Sequence, residues 1–386
     1  MPRYRTSVFR LCAFLFLGAL LVGCGDSDAS EADYTVDEEE GVTIIGNTGA
    51  PEWDAAESAP LQFDHTQSFG AEEEPAEALL SDASDVAVDD DGSVYILDRR
   101  DHRLLAFDAE GTFLWEAGRE GQGPGEFQFP NGIGVLPSGN LLILDGTGRL
   151  DEWSTEGTHE QSHTPEDLQV RIGSLLHGSD DTVAIVGVDE EFEGLVQILN
   201  TETFDVVKTF PVDLEINMAL AFMPVMRAGY ANGILYLANR TGYQIDVYDA
   251  TSGERIQQIT QPDAEGMVGM GMAQIDQGMR FYPFSAVGAP LYLSDGIRLV
   301  PTFQSEGVDD PNEWIEERQG EISDHVVHDA FLDVYDEDYR LQGRLHWSDT
   351  RTPDIGQVVA VGPDGALYTS LSEPYPHVRR YKVAME

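Results

Sequence analysis

The chain has 386 residues, of which 70 are acidic and 22 basic, so its formal net charge is −48 at pH 7. This balance argues against binding to nucleic acid or to an anionic lipid surface, because the phosphate term in such binding needs clustered Lys and Arg. Lys208 and Lys382 are its lysines. An acidic, lysine-poor composition is typical of proteins from salt-adapted bacteria. The alternative is an acidic protein of the cell envelope without such adaptation.

Residues 1–23 are predicted to form an export signal. Arg3, Arg5 and Arg10 precede an apolar core at residues 11–22, which is too short to span a bilayer. The tetrapeptide LVGC at residues 21–24 resembles the bacterial lipobox, in which the cysteine is lipidated and becomes the mature N-terminus. We therefore expect lipidation at Cys24. The alternatives are an ordinary signal peptide or an uncleaved anchor, with Cys24 incidental.

Residues 24–60 are predicted to form an acidic, flexible tether. Cys12 lies inside the signal, so the mature chain would keep only Cys24 and could form no internal disulfide. Stable attachment needs more than one acyl chain, such as palmitate.

The segment at residues 24–60 is rich in Asp, Glu, Ser, Ala and Gly, with an acidic run at residues 37–40 and a short apolar break at residues 42–45. This composition is typical of a disordered linker.

The folded region is predicted to span residues 61–386. It opens with LQFDHTQSF at residues 61–69, which alternates apolar and polar residues but has no neighbouring hairpin partner. The C-terminal repeat, conversely, ends after three strands. We expect the N-terminal strand to complete the last blade and close the ring, so that no full sheet edge stays exposed.

Residues 85–129 contain one complete four-stranded unit. Two apolar runs flank the turn DDDG, and two more flank the turn DAEG, before the Gly-rich sequence GREGQGPGEF. A meander of about 45 residues is the size of one β-propeller blade. The pattern recurs to give six copies, and the alternative fold is an all-β sandwich. Aligning the copies on their first turn puts these residues at the end of the second strand: Asp98, Asp145, Gly187, Asn239, Asp295 and Leu371.

The meander predicts which loops share a face. Turns between strands one and two, and three and four, lie at one end of each blade, whereas the two-to-three loops and the crossovers between blades lie at the other. All long connections fall on the second face, including residues 118–130 and a predicted insertion at residues 296–327 in blade five. Because sites are built on variable loops over a rigid frame, function is expected on this loop-rich face.

Six residues on that face are candidate metal ligands. Carboxylate and amide oxygens at the ends of successive strands could converge on a calcium ion, although capping of strand ends is the favoured alternative. His102 and His328 could bind zinc or act as a general base, but no spacing matches a known metal motif. Hydrogen-bonded surface histidines are the favoured alternative. The set comprises Asp98, Asp145, Asn239, Asp295, His102 and His328.

Four further residues are candidates for a binding surface. Arg99, Arg100 and Arg240 follow second strands. Trp314 lies in the insertion, where an N-cap, an early proline and acidic residues at 310–318 predict a short helix. Trp314 either packs that helix on the propeller, which we favour, or contacts a partner.

The sequence DRRDHRL at residues 98–104, followed by FDAEG and GREGQGPGEF, resembles the NHL repeat. The chain as a whole resembles six-bladed NHL-type β-propeller lipoproteins of bacteria. The resemblance implies an all-β fold of six four-stranded antiparallel blades and, for most NHL propellers, binding of proteins or other polymers. A minority of related propellers are metal-dependent lyases or lactonases, but none of their ligand sets can be carried over to this chain.

The sequence therefore predicts a monomeric, membrane-anchored binding or scaffolding propeller of the bacterial cell envelope, facing the periplasm or the exterior. It would engage a protein, peptide or glycan through its loop-rich face, without a cofactor. The alternative is a calcium- or zinc-dependent lactonase-like or lyase-like enzyme with its site at the mouth of the central channel.

Overall fold

The computed structural model describes residues 34–49, 61–170, 172–177, 181–191, 193–212, 228–231, 233–239, 243–261, 271–275, 278–282, 286–287, 290–292, 296–305, 328–346, 357–372 and 374–385. Among the predicted functional residues, Cys24, Arg240, Asp295 and Trp314 lie outside these ranges. Within the described ranges, no helix is long and apolar enough to span a bilayer.

The chain folds as an all-β, six-bladed propeller of four-stranded antiparallel blades, as the sequence predicts. Strands follow one another outward within each sheet, and the first strands of blades six, one, two, three and four contact one another in that order. Apart from the 3-10 turn Ala76–Ala78, regular structure in the described part of the chain is β. Blade one contains Ala83–Val88, Val94–Asp98, Arg103–Phe107 and Phe113–Ala117; blade two contains Pro130–Val135, Leu141–Asp145, Leu150–Trp153 and His159–His163; blade three contains Ile172–His177, Thr182–Val188, Gly194–Asn200 and Val206–Pro211.

The second half of the ring has the same plan with additions. A separate two-stranded sheet precedes blade five, whose innermost strand is interrupted. Blade four contains Ala228–Ala231, Ile234–Asn239, Gln244–Asp249 and Glu254–Thr260; the separate sheet contains Gly271–Ile275 and Gly278–Tyr282; blade five contains Ala286–Val287 with Leu291–Tyr292, then Arg298–Ser305, His328–Tyr335 and Leu341–His346; blade six contains Gln357–Val361, Leu367–Leu371, His377–Met385 and Leu61–Phe69.

The cores lie between blades, because each sheet buries side chains on both of its faces. Between blades one and two, Tyr95 and Leu97 pack with Ile133, Ile143 and Trp153. Each of these side chains is at most 5% exposed. Large aromatic side chains fill the widening space between neighbouring sheets.

The ring closes through the N-terminal strand, as predicted. Leu61–Phe69 pairs antiparallel with His377–Met385, with Leu61 opposite Met385 and Phe69 opposite Val378. Phe69 is fully buried, and its ring lies 6.0 Å from that of Phe107 in blade one and 6.1 Å from that of Tyr368 in blade six. The closing strand therefore contributes both backbone pairing and the packing that joins the last blade to the first.

The predicted tether contains ordered structure. Tyr34–Glu39 and Val42–Asn47 form an antiparallel hairpin, here called the N-terminal hairpin, and its second strand pairs in parallel with Glu254–Thr260. The prediction of a flexible tether over residues 24–60 is therefore wrong for the hairpin. The apolar residues of Val42–Asn47 have a partner surface, because Ile45 is only 4% exposed in a core that includes Ile259.

Blade five differs from the predicted alignment. Arg298–Ser305 pairs with His328–Tyr335 along its whole length and is the second strand of the blade. The prediction that Asp295 closes that strand, and that the insertion begins at residue 296, is therefore wrong. Pro301 explains the error, because a residue without an amide N–H is atypical of a central strand. The rest of the predicted insertion, residues 306–327 with the predicted helix, lies outside the described residues.

Candidate functional site

A carboxylate clamp holds the crossover that enters blade one. Asp98 is fully buried at the end of the second strand, and its two oxygens each accept a backbone N–H at 3.0 Å, from Ser81 and Asp82. Arg103, at the start of the third strand, donates to the Leu79 carbonyl and lies 3.3 Å from Asp98. Burial raises the pKa of Asp98, and the Ser81 N–H opposes that rise.

Blade two repeats this clamp, with the same separations of 17 and 16 residues between the carboxyl and the two crossover amides but with the Arg one residue closer to the Asp. Asp145 is fully buried and accepts the N–H groups of Gln128 at 2.7 Å and Phe129 at 3.2 Å through Oδ2. Its Oδ1 accepts the N–H and the hydroxyl of Thr147 at 3.0 and 2.9 Å. Arg149 donates to the Glu126 carbonyl, two residues before Gln128, just as Leu79 precedes Ser81 by two. In each of these two blades, an Asp and an Arg thus fix the incoming crossover from both sides.

These contacts are those of strand-end caps, the alternative that the sequence favours for Asp98 and Asp145. Within the described residues, no group of three or more His, Cys, Asp or Glu side chains could hold a metal ion. Asn239 ends its strand and His328 begins one, but their side chains lie outside the described residues, as does Asp295. A metal site that uses those residues stays a prediction.

His102 links the loop of blade one to the next crossover. Its backbone has a φ of 54°, a left-handed conformation that is uncommon for residues other than glycine. Its Nε2 lies 3.1 Å from the carbonyl oxygen of Gln128. His102 therefore has a structural contact in this chain and helps to fix the residue next to Phe129.

Phe129 is an exposed aromatic residue of this face, one that the sequence pattern does not indicate. Its side chain is 64% exposed, although Phe127, two residues earlier, is fully buried. The Phe129 N–H donates to Asp145, and its carbonyl accepts the N–H of Gly146 at 2.7 Å. A Cβ at Gly146 would lie 3.0 Å from the Cβ of Phe129, so a larger residue there would have to displace its neighbour slightly. The ring is thus presented to solvent from a fixed backbone.

The arginines of blade one differ in their contacts. Arg99 forms an ion pair with Asp82 at 3.3 Å, whereas Arg100 is exposed on the same loop. We call Arg100, His102 and Phe129 the loop patch, because His102 connects the Arg99–Arg103 loop to the crossover that carries Phe129. Arg240 and Trp314, the other predicted binding residues, lie outside the described residues.

Both clamps lie within a region with a recognisable family pattern. Residues 73–163 match the DUF5128 model, described as a 6-bladed beta-propeller. A comparison with curated proteins found no match. Relationship to the NHL-type lipoproteins stays a prediction.

Solved structures share the propeller fold at low sequence identity. A Bacteroides fragilis protein assigned as exported has a TM-score of 0.55 at 11% identity, with 89% of this chain and 100% of that chain covered. A DUF4221-family member from Bacteroides vulgatus has a TM-score of 0.51 at 10% identity, with 84% and 99% covered. A Staphylococcus aureus virginiamycin B lyase, solved with quinupristin, has a TM-score of only 0.44 at 10% identity, with 80% and 82% covered. At such low identities, the likeness to the two Bacteroides structures shows the fold alone, and the likeness to the lyase carries no argument.

A Ser, His and Asp cluster on blade two of the propeller lacks the geometry of a catalytic triad. His159 Nε2 lies 3.2 Å from Asp151 and 3.1 Å from Ser162, so one nitrogen faces both partners. The Ser162 hydroxyl donates directly to Asp151 at 2.5 Å. A general base needs one ring nitrogen for the nucleophile and the other for the carboxylate. The cluster instead joins the outer two strands of the blade.

Asp85 is a largely buried carboxyl on the innermost strand of blade one, one that the sequence pattern does not indicate. It accepts the N–H of Ile133 in blade two at 2.9 Å and that of Val86 at 3.0 Å. Burial raises its pKa to about 7, against the lowering effect of these two donors. Asp85 therefore titrates near neutral pH between two blades.

Asp85 should make stability depend on pH in a defined direction. Because its pKa is higher in the folded state, the folded chain binds more protons between about pH 4 and 7, so this contribution is present in acid and is lost as the pH rises. Asp85→Asn removes the charge, and one pKa unit corresponds to about 1.4 kcal/mol. We expect the unfolding free energy of the variant, relative to wild type, to rise by at least about 1 kcal/mol from pH 5 to pH 8. Urea titrations at both pH values measure it, and a pH-independent difference would contradict it.

Proposed function

We propose that the chain is a lipid-anchored, extracytoplasmic binding propeller that engages a protein, peptide or glycan through its loop-rich face. The observation that carries the proposal is Phe129, whose ring is 64% exposed while both backbone polar groups are hydrogen-bonded. Exposed large aromatic side chains on a rigid frame are typical anchors of binding surfaces. Arg100 adds an exposed guanidinium to the neighbouring loop.

The two clamps favour binding because they reduce its entropic cost. A loop that is ordered before association loses less conformational freedom when a ligand arrives. Asp145 and Arg149 fix the crossover ahead of Phe129, and His102 contacts it from blade one. Attachment through Cys24, in a salt-adapted bacterium, completes the proposal and rests on the sequence of the export signal and on the charge of −48.

Site-specific photocrosslinking in the cell envelope tests the proposal. We expect a photoreactive phenylalanine analogue at position 129 to crosslink a partner, and the yield to fall at least about tenfold when Arg100→Glu is added, because charge and ring act together. The matched control is the analogue at Leu114, which is 49% exposed on the outermost strand of blade one. Cys24→Ala should move the protein from the membrane to the soluble fraction.

Equal crosslinking at positions 129 and 114 would contradict a binding site on the loop-rich face. A membrane-bound Cys24→Ala variant would contradict lipid anchoring alone, so the two parts of the proposal fail separately. For a glycan partner, periodate oxidation before irradiation should remove the crosslink. For a protein or peptide partner, protease treatment should reduce the mass of the crosslinked product.

A further inference from the structure

The propeller is complete without the N-terminal hairpin. Blade four has four strands of its own, and Leu61–Phe69 closes the ring on blade six. The hairpin adds two more strands to the outer edge of blade four, with Thr43 to Gly46 in parallel register with Gln257 to Thr260. Parallel pairing is slightly less stable per residue than antiparallel pairing. The hairpin is therefore an addition to the ring rather than part of its closure.

The hairpin also reaches blade five. Asn47 donates to the Tyr339 carbonyl at 3.1 Å and accepts the Leu341 N–H at 2.9 Å, and it is only 4% exposed. The Tyr34 hydroxyl donates to the Asp338 carbonyl at 2.9 Å, and the guanidinium of Arg340 lies 4.5 Å from the Tyr34 ring centre. The hairpin thus joins the outer strand of blade four to the last turn of blade five.

Charge opposes this docking. The hairpin carries Asp37, Glu38, Glu39 and Glu40, all exposed, and residues 34–49 contain no Lys, Arg or His. It docks on a chain whose formal charge is −48. Repulsion between exposed charges extends about 30 Å at 0.01 M salt but only about 3 Å at 1 M. Docking should therefore be much more favourable in concentrated salt.

The N-terminal hairpin is not expected to be stable when it is undocked. An isolated two-stranded hairpin is marginally stable in water. Its two-residue turn places Glu40 at a φ of 51°, which costs a residue with a Cβ more than it costs glycine. Once undocked, the hairpin should therefore lose its order, so docking and folding of the segment form one transition.

We propose that the N-terminal hairpin is a salt-controlled clasp. It docks across blades four and five at high ionic strength and is released, with loss of its own strand pairing, when screening is removed. The occupant of the outer edge of blade four is thus the segment Val42–Asn47 of the same chain. Release would expose the edge of Glu254–Thr260 and the apolar residue Ile259, which contributes to the core around Ile45.

Hydrogen exchange of the mature full-length chain tests the proposal, with Val94–Asp98 as an internal reference for global unfolding. The salt concentration is lowered from 2 M to the lowest value at which the reference stays protected. We expect the amides of Thr43 to Gly46 to exchange at least about tenfold faster at that lower limit than at 2 M. The fourfold variant Asp37→Asn, Glu38→Gln, Glu39→Gln, Glu40→Gln should reduce this ratio to less than about threefold.

A matched control has the same charge change elsewhere. Glu72, Glu73, Glu74 and Glu77 are exposed before blade one, and their replacement by Gln should leave the salt response of Thr43 to Gly46 unchanged. Asn47→Ala should speed exchange of those amides at 2 M salt as well, because it removes both hydrogen bonds to blade five. The proposal is overturned if exchange of the hairpin never separates from that of the reference, if the charge-neutral hairpin keeps its salt response, or if the control abolishes it.

Discussion

Replacing Phe69 with alanine should lower the free energy of unfolding by about 3–5 kcal/mol, the range for a large aromatic removed from a packed core. Phe69 is fully buried and packs between Phe107 of blade one and Tyr368 of blade six, so the cavity would form where the ring closes. Neighbouring blades cannot collapse into it without breaking the pairing of Leu61–Phe69 with His377–Met385. Urea denaturation followed by tryptophan fluorescence measures the loss.

Phe129→Ala provides a matched control, because it deletes the same ring from a position that is 64% exposed. We expect it to change the unfolding free energy by no more than about 0.5 kcal/mol, while it weakens partner binding at the loop patch. Similar losses of stability in the two variants would show that Phe129 packs in solution, and would remove the observation that carries the proposed function.

Replacing Asp145 with alanine should lower the free energy of unfolding by about 2–4 kcal/mol, because three amide N–H groups and one hydroxyl lose their common acceptor. It should also free the crossover before blade two, so that Phe129 loses its fixed backbone and partner binding weakens at least about tenfold. Exchange of the Gln128 and Phe129 amides reports the local effect, and urea denaturation reports the global one.

Asp108→Ala is the control for Asp145→Ala. Asp108 accepts the N–H groups of Glu110 and Thr112 at 3.1 and 2.7 Å in a turn at the opposite end of blade one. Asp108→Ala should lower the free energy of unfolding by about 1 kcal/mol and leave hydrogen exchange of the Gln128 amide unchanged. If added calcium stabilised the wild type but not Asp145→Ala, the Asp145 carboxylate would be a metal ligand. The hypothesis of a metal-dependent enzyme would then be favoured over the binding propeller.

The turns and strand alternation of the repeats predict the blades because their determinants are local. A Gly after a run of Asp, flanked by alternating apolar residues, favours one hairpin wherever it occurs. The capping role of Asp98 and Asp145 is likewise accessible from sequence, because each carboxyl lies where a strand ends and loop amides need acceptors.

Arg100 and His102 of the loop patch were accessible from sequence, but the exposure of Phe129 was not. Phe127 and Phe129 are both aromatic residues in one Gly-rich crossover, yet one is fully buried and the other 64% exposed. The difference arises from tertiary contacts with Asp145 and Gly146, which no periodicity encodes. The N-terminal hairpin was hidden by its acidic run, although the apolar residues that follow the Glu40 and Gly41 turn were the available signal.

The ring closure and the docked hairpin both depend on contacts between residues far apart in the sequence. In the ring closure, Thr66 donates to the carbonyl of Arg380, 314 residues away, and in the hairpin, Tyr34 donates to the carbonyl of Asp338, 304 residues away. Contacts of such sequence separation form slowly, because the chain must close a very long loop before they contribute. During synthesis both N-terminal segments must wait, unpaired, until blades four to six exist. Assembly of the propeller therefore ends with a strand that is synthesised before all of the blades, and a chain that lacks blade six retains open strand edges.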